Sequence, residues 1–102
     1  MDELKLPKSF KLFGTTIDII FDNTRMNDLG YYGLFESGKH KITLSTIDGL
    51  NDLGKDRIIN TFYHESVHAI LDSMNEIELN KNEKFVDVFA KLIRQMNETK
   101  EY

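Results

Sequence analysis

Apolar residues follow two different spacings in the two halves of the chain. In residues 9–45 they alternate with polar residues, as in half-buried strands, at Phe10, Leu12, Ile17, Ile19 and Phe21. Gly14 and Gly38 stand between successive strand patterns and suit hairpin turns, where glycine takes a positive φ at little cost. The pattern therefore predicts a meander of three or four strands, with residues 22–30 as a polar connection.

The second half of the chain has the spacing of helices. From Asp56 onward apolar residues recur every three or four positions, first over roughly nineteen residues and then again from Phe85 to Met96. A polar segment, residues 75–82, separates the two patterns and is interpreted as a connector. Because the strands precede the helices, we expect an α+β fold, in which a small antiparallel sheet of three or four strands packs on two helices.

Composition limits what this chain can be. It has 102 residues, three histidines, one proline and no cysteine, which indicates a single domain over residues 1–102 without disulfides or thiolate metal sites. A net charge of −4 without a basic stripe argues against direct binding of nucleic acid. No stretch approaches the ~20 apolar residues of a membrane span, and the first residues do not resemble a signal peptide. We expect a cytoplasmic protein without membrane contact.

The candidate chemistry lies within the first helical pattern, in the run His64-Glu65-Ser66-Val67-His68. Histidines four residues apart lie one turn apart on the same side of a helix, so both imidazoles can give a nitrogen to one zinc ion. Glu65 falls beside them, where a carboxylate can act as general base toward a water on the metal. The H-E-x-x-H pattern fixes only three residues, and its alternative interpretation is a pair of surface histidines beside a salt-bridged glutamate.

A catalytic zinc ion needs a third protein ligand. Glu83 is the candidate, because a second helix that reverses after residue 74 would bring its first turn past both histidines. Asp87 would lie on the same side and could hold a ligand histidine by its other ring nitrogen. Two alternatives remain: Asn80 and Glu83 resemble a capping box, and Asp72, one turn beyond the second histidine, could compete as a ligand.

A family resemblance adds to this. The H-E-x-x-H pattern followed by E-x-x-x-D resembles thermolysin-type zincins, the gluzincins, at His64, Glu65, His68, Glu83 and Asp87. The short spacing and the E-x-x-V-D-x-F-A run that starts at Glu83 resemble more closely the ImmA/IrrE-type and related small phage or mobile-element metallopeptidases. The resemblance implies that His64, His68 and Glu83 bind Zn²⁺. It also implies that Glu65 is the catalytic base and that Asp87 supports a ligand histidine.

A peptidase also needs a donor for the charge that develops on the carbonyl oxygen. His40 and Tyr32 are candidates because they belong to strands that would border the first helix. His40 is expected to share a strand face with Ile42 and Leu44. An edge strand at this position could also pair with an extended substrate.

The sequence thus predicts a zinc-dependent metallopeptidase that hydrolyses a peptide bond in a specific protein or peptide substrate. The alternative is a non-catalytic zinc-binding regulatory or interaction module of phage or mobile-element origin. Glu65 favours the peptidase, since a structural zinc site fills all four positions with protein ligands. A monomer is expected; a homodimer through the helix pair, with incidental histidines, is a further alternative.

Overall fold

The computed structural model describes residues 4–102, and they form strands followed by helices with one helix among the strands. The strands are β1 (Ser9–Leu12), β2 (Thr15–Phe21), β3 (Gly33–Glu36), β4 (Lys41–Leu44), β5 (Ile47–Asp48) and β6 (Asn51–Asp52). The helices are α1 (Asn23–Leu29), α2 (Lys55–Ser73), α3 (Ile77–Lys81) and α4 (Glu83–Thr99). The predicted α+β class is confirmed, and α2 matches the nineteen-residue helix that the sequence predicts.

The main sheet is mixed, so the expectation of a purely antiparallel sheet is wrong. Its strand order is β1-β2-β4-β3, with antiparallel pairing of β1 with β2 and of β3 with β4, but parallel pairing of β2 with β4. The reason is α1, which forms where the sequence suggests only a polar connection. Asp22 caps its first turn by accepting from the Arg25 N–H, Gly30 ends it at φ 75°, and Met26 is buried. This helix carries the chain to the far edge of the sheet, where β3 lies, and β4 then returns between β2 and β3.

His40 does not occupy the position that the strand pattern predicts. A single 3₁₀ turn, Ser37–Lys39, connects β3 to β4, and His40 follows it with φ 52°. His40 is therefore the residue that takes the left-handed conformation expected of Gly38. Its side chain is exposed and does not join Ile42 and Leu44, because the strand begins only at Lys41.

Helix α2 lies between two apolar clusters that fix its position. Toward the sheet, the buried cluster consists of Ile17, Ile42, Leu44 and Phe62. Toward α4, it consists of Val67, Leu71, Val86 and Ala90. Full burial of a Val, Leu, Ile or Phe side chain contributes roughly 1.5–3 kcal/mol to the free energy of folding. The two clusters therefore hold the sheet and α4 firmly against α2. Within residues 4–102, none of the helices combines the length and apolar character that a transmembrane span requires.

Candidate metal centre

Three potential metal ligands converge where the start of α4 crosses the middle of α2. The rings of His64 and His68 lie with their centroids 5.0 Å apart. His64 Nε2 is 3.1 Å from Glu83 Oε2, and His68 Nε2 is 3.3 Å from Glu83 Oε1. Within residues 4–102, this is the one group of three or more His, Cys, Asp or Glu residues whose donor atoms converge to within 4.8 Å of one another.

The spacing of these atoms suits a tetrahedral metal ion. Zinc bonds of about 2.0–2.1 Å in tetrahedral directions separate neighbouring donors by about 3.3–3.4 Å. The two imidazole–carboxylate separations, each to a different oxygen of Glu83, fall close to that value. Two imidazole nitrogens and one carboxylate oxygen form a donor set that zinc accepts, and they leave a fourth position for water or substrate. The residues therefore fit a divalent metal ion, and their donor types do not single out zinc.

Glu83 reaches the histidines because of how α4 begins and packs. Asn82 is the residue that caps α4, since its side chain accepts from the Phe85 N–H. The alternative of a capping box between Asn80 and Glu83 is therefore excluded, and the Glu83 carboxylate faces the two imidazoles. Val86 and Ala90 bury the same helix against α2, which sets the depth at which Glu83 enters the site.

Glu65 is buried beside the ligands and held by the sheet. Its Oε1 accepts a hydrogen bond of 2.8 Å from the backbone N–H of Phe35 on β3, while its Oε2 lies 4.0 Å from His64 Nε2. Burial raises the pKa of the Glu65 carboxyl, an effect that the nearby histidines and the Phe35 N–H only partly oppose. One carboxylate oxygen is thus anchored, and the other is directed toward the ligand cluster.

The two other carboxylates near α2 differ in their relation to the ligands. Asp87 Oδ1 lies 3.7 Å from His64 Nδ1, on the predicted side but beyond hydrogen-bond distance, and its Oδ2 accepts from Lys91. Asp72, the alternative ligand, instead accepts a hydrogen bond of 2.8 Å from the Ser37 hydroxyl. It lies outside the group of converging donors.

Two cavities flank the centre, and Glu65 lines both of them. One, of about 320 Å³, extends past Tyr32, Gly33, Asn60 and Thr61. The other, of about 420 Å³, extends past Phe35, His68, Ile77 and Asn80. Together they give space for substrate on either side of the ligands.

The two predicted oxyanion donors lie in different places. Tyr32 is on the wall of the smaller cavity, where its hydroxyl lies 3.2 Å from Asp48 Oδ2. His40 is not among the residues that line either cavity. The structure therefore brings Tyr32, but not His40, to the side of the metal centre.

Two contacts at the site have no counterpart in the sequence predictions. The first is the Phe35 N–H, a backbone donor that no residue pattern announces. The second is Asn80, whose Oδ1 lies 2.5 Å from His68 Nδ1 and for which the sequence suggests only the alternative role of a capping residue.

The chain was compared with models of protein families, with curated proteins and with solved structures, and it matches none of them.

Proposed function

We propose that this domain is a zinc-dependent peptidase that cleaves a peptide bond in a protein substrate. The observation that carries the proposal is the convergence of His64, His68 and Glu83 at metal-ligand spacing, with the buried carboxylate of Glu65 beside them. The donor set and the neighbouring carboxylate have the chemistry of a hydrolytic zinc site.

The three ligands would hold the ion with one position left for substrate or water. A zinc ion held there supplies a Lewis acid and makes a coordinated water nucleophilic near neutral pH. The ligand set alone does not separate zinc from other divalent metals that bind two histidines and a carboxylate. Elemental analysis of the purified protein tests the choice of zinc directly.

Glu65 would act as the general base. The Phe35 N–H fixes one of its oxygens, so the free oxygen keeps a constant direction toward the ligand cluster. A carboxyl with a raised pKa accepts a proton more readily than an exposed one, which suits a base that takes the proton of the attacking water and then delivers it to the leaving amine. A positioned base of this kind contributes typically about 10²–10⁴-fold to the rate.

Two further side chains have supporting roles in the proposal. Asp87 would orient His64 through Nδ1, which requires the present separation of 3.7 Å to shorten by less than 1 Å. Tyr32 lies on the wall of the smaller cavity and donates its phenolic proton to Asp48 Oδ2, so it would have to turn that proton toward the substrate carbonyl to stabilise the developing charge. His40 lines neither cavity, and the proposal gives it no role in the reaction.

The test compares the wild type with Glu65→Gln in a proteome-wide search for cleaved substrates. Glutamine preserves the shape and the acceptor for the Phe35 N–H, so zinc content is expected to stay near one per chain while cleavage falls at least about 100-fold. Glu78→Gln, an exposed position on α3, is the matched control and should cleave like the wild type.

Three results would overturn the proposal. If Glu65→Gln cleaves as fast as the wild type, Glu65 is not the general base. If the zinc-loaded variant shows no cleavage but exerts the full biological effect of the wild type, the domain acts as a non-catalytic zinc module. If the wild type binds no zinc, both functions fail.

A further inference from the structure

Asn80 touches the metal centre from outside the motif that defines it. It lies on α3, in the segment between the two long helices, and its Oδ1 is 2.5 Å from His68 Nδ1. Both residues are partly buried and line the larger cavity, so water competes only in part for this contact. The residue that caps α4 is Asn82, which leaves the Asn80 side chain free for this contact.

We propose that Asn80 is a positioning residue for His68, which fixes the ring and its tautomer so that Nε2 presents a lone pair to the metal. This inference rests on the proposed zinc-binding function. An amide oxygen can only accept a hydrogen bond, so His68 Nδ1 must carry the proton that it donates to Asn80. In the neutral imidazole the other nitrogen, Nε2, is then unprotonated and available as a ligand.

The lone pair on His68 Nε2 has a consequence for Glu83. Nε2 of the neutral ring faces Glu83 Oε1 at 3.3 Å, so two hydrogen-bond acceptors point at each other, and either a metal ion or a second proton on the ring would satisfy both. With the opposite tautomer, Nε2–H would donate directly to Glu83, and the two ligands would satisfy each other without a metal. Asn80 therefore disfavours the internal hydrogen bond that competes with metal binding.

His64 provides an internal contrast. Its Nδ1 is 3.7 Å from Asp87 Oδ1, too long for a hydrogen bond, and its Nε2 lies 3.1 Å from Glu83 Oε2. The carboxylate of Glu83, which only accepts, is thus the hydrogen-bond partner of His64 in the metal-free protein, and no acceptor holds its Nδ1 as Asn80 holds that of His68. We expect the effect of Asn80 to be confined to one of the two histidines.

The experiment measures zinc affinity by competition with a chelator for the wild type, Asn80→Ala and Asn80→Asp. Removing the partner of a ligand histidine typically weakens metal binding about 10–100-fold, which is the loss expected for Asn80→Ala. Asn80→Asp keeps an acceptor oxygen and should bind at least as tightly as the wild type. Asn97→Ala, which removes an amide that bonds the Tyr63 hydroxyl, is the matched control and should leave the affinity unchanged.

A second readout follows the proton itself. Nitrogen-15 NMR of the metal-free protein, at a pH where both imidazoles are neutral, should find the His68 proton on Nδ1 in the wild type and in Asn80→Asp. In Asn80→Ala the His68 proton should move toward Nε2, while the His64 signals stay in place. A purely structural role for Asn80 would not produce this selective change.

Either measurement can overturn the inference. An Asn80→Ala protein that binds zinc as tightly as the wild type would contradict it, and so would a wild-type His68 protonated on Nε2. If the alanine variant does not fold by circular dichroism, the wild-type tautomer and the Asn80→Asp affinity still decide. If the wild type binds no zinc, the proposed function fails, whereas the tautomer measurement still tests Asn80.

Discussion

Glu65 and Glu83 are carboxylates of the same centre, but the fold holds them in opposite ways. The Glu65 side chain is only 11% exposed and is anchored by a backbone N–H of β3. The Glu83 side chain is 67% exposed, and its two oxygens lie against the imidazoles of His64 and His68. The packing of α2 on the sheet therefore fixes the side chain of Glu65, the proposed base. The side chain of Glu83, the proposed third ligand, would be fixed only when a metal ion binds.

The same contrast extends to the two sides of α2. On the sheet side, β3 approaches so closely that a Cβ on Gly33 would lie 2.5 Å from Thr61 Cγ2. On the other side, the short helix α3 has no buried residue, and Asn80 connects it to His68. We expect mutations on the sheet side to change stability, and mutations at α3 and the start of α4 to change metal affinity.

The largest predicted effect is at Glu83, where a mutation should change metal affinity but not the stability of the metal-free protein. Glu83→Gln removes a charged ligand and should weaken zinc binding by more than about 100-fold. The free energy of unfolding of the metal-free protein should change by less than about 1 kcal/mol, because the side chain is exposed. Asp72→Asn, which alters the other carboxylate considered as a ligand, is the control and should keep wild-type affinity. Equal losses in the two variants would contradict the assignment of Glu83.

A smaller effect is expected on the sheet side. Gly33→Ala should lower the free energy of unfolding by about 1–3 kcal/mol, because the new methyl group overlaps Thr61 Cγ2 and touches Leu44. Thr61→Ser removes Cγ2 and keeps the hydroxyl that donates to the Arg57 carbonyl, so the double variant should recover much of the loss. Chemical denaturation measures all three. If Thr61→Ser gives no recovery, the close approach is not the cause.

The smallest predicted effect lies within the sheet. The hydroxyl of Thr43 is fully buried and meets no hydrogen-bond partner among residues 4–102. Thr43→Val replaces it with a methyl group of similar size and should raise the free energy of unfolding by about 1 kcal/mol, without altering zinc affinity. Ser45→Ala is the contrasting variant: its hydroxyl bonds Asn23 and Ile47, so its loss should destabilise the protein. A destabilised Thr43→Val protein would contradict this account.

The sequence predicted those parts of the fold that depend on one local spacing. Helix α2 was predictable because its apolar residues recur every three or four positions, and the H-E-x-x-H pattern lies within that helix. The parallel pairing of β2 with β4 was not predictable in this way, because alternation reveals which face a residue takes but not which strand lies beside it. Helix α1 was missed because it is only seven residues long and has a single buried side chain, Met26.

At the site, the three residues proposed as ligands were easier to predict than the groups that hold them in place. His64 and His68 are neighbours by helix geometry alone, and Glu83 follows from the return of the next helix. The Phe35 N–H leaves no trace in the sequence, since every residue except proline has such a donor. The sequence suggests for Asn80 only the alternative role of a helix cap, because asparagine is typical of caps, and Asn82 fills that position instead.

The central claim is that His64, His68 and Glu83 bind one zinc ion. The most direct test is elemental analysis of the purified wild type and of His64→Ala after dialysis against metal-free buffer. The account predicts one zinc per chain in the wild type and almost none in the variant. A wild type without stoichiometric zinc, or with iron in its place, or a variant that keeps its zinc, would contradict it.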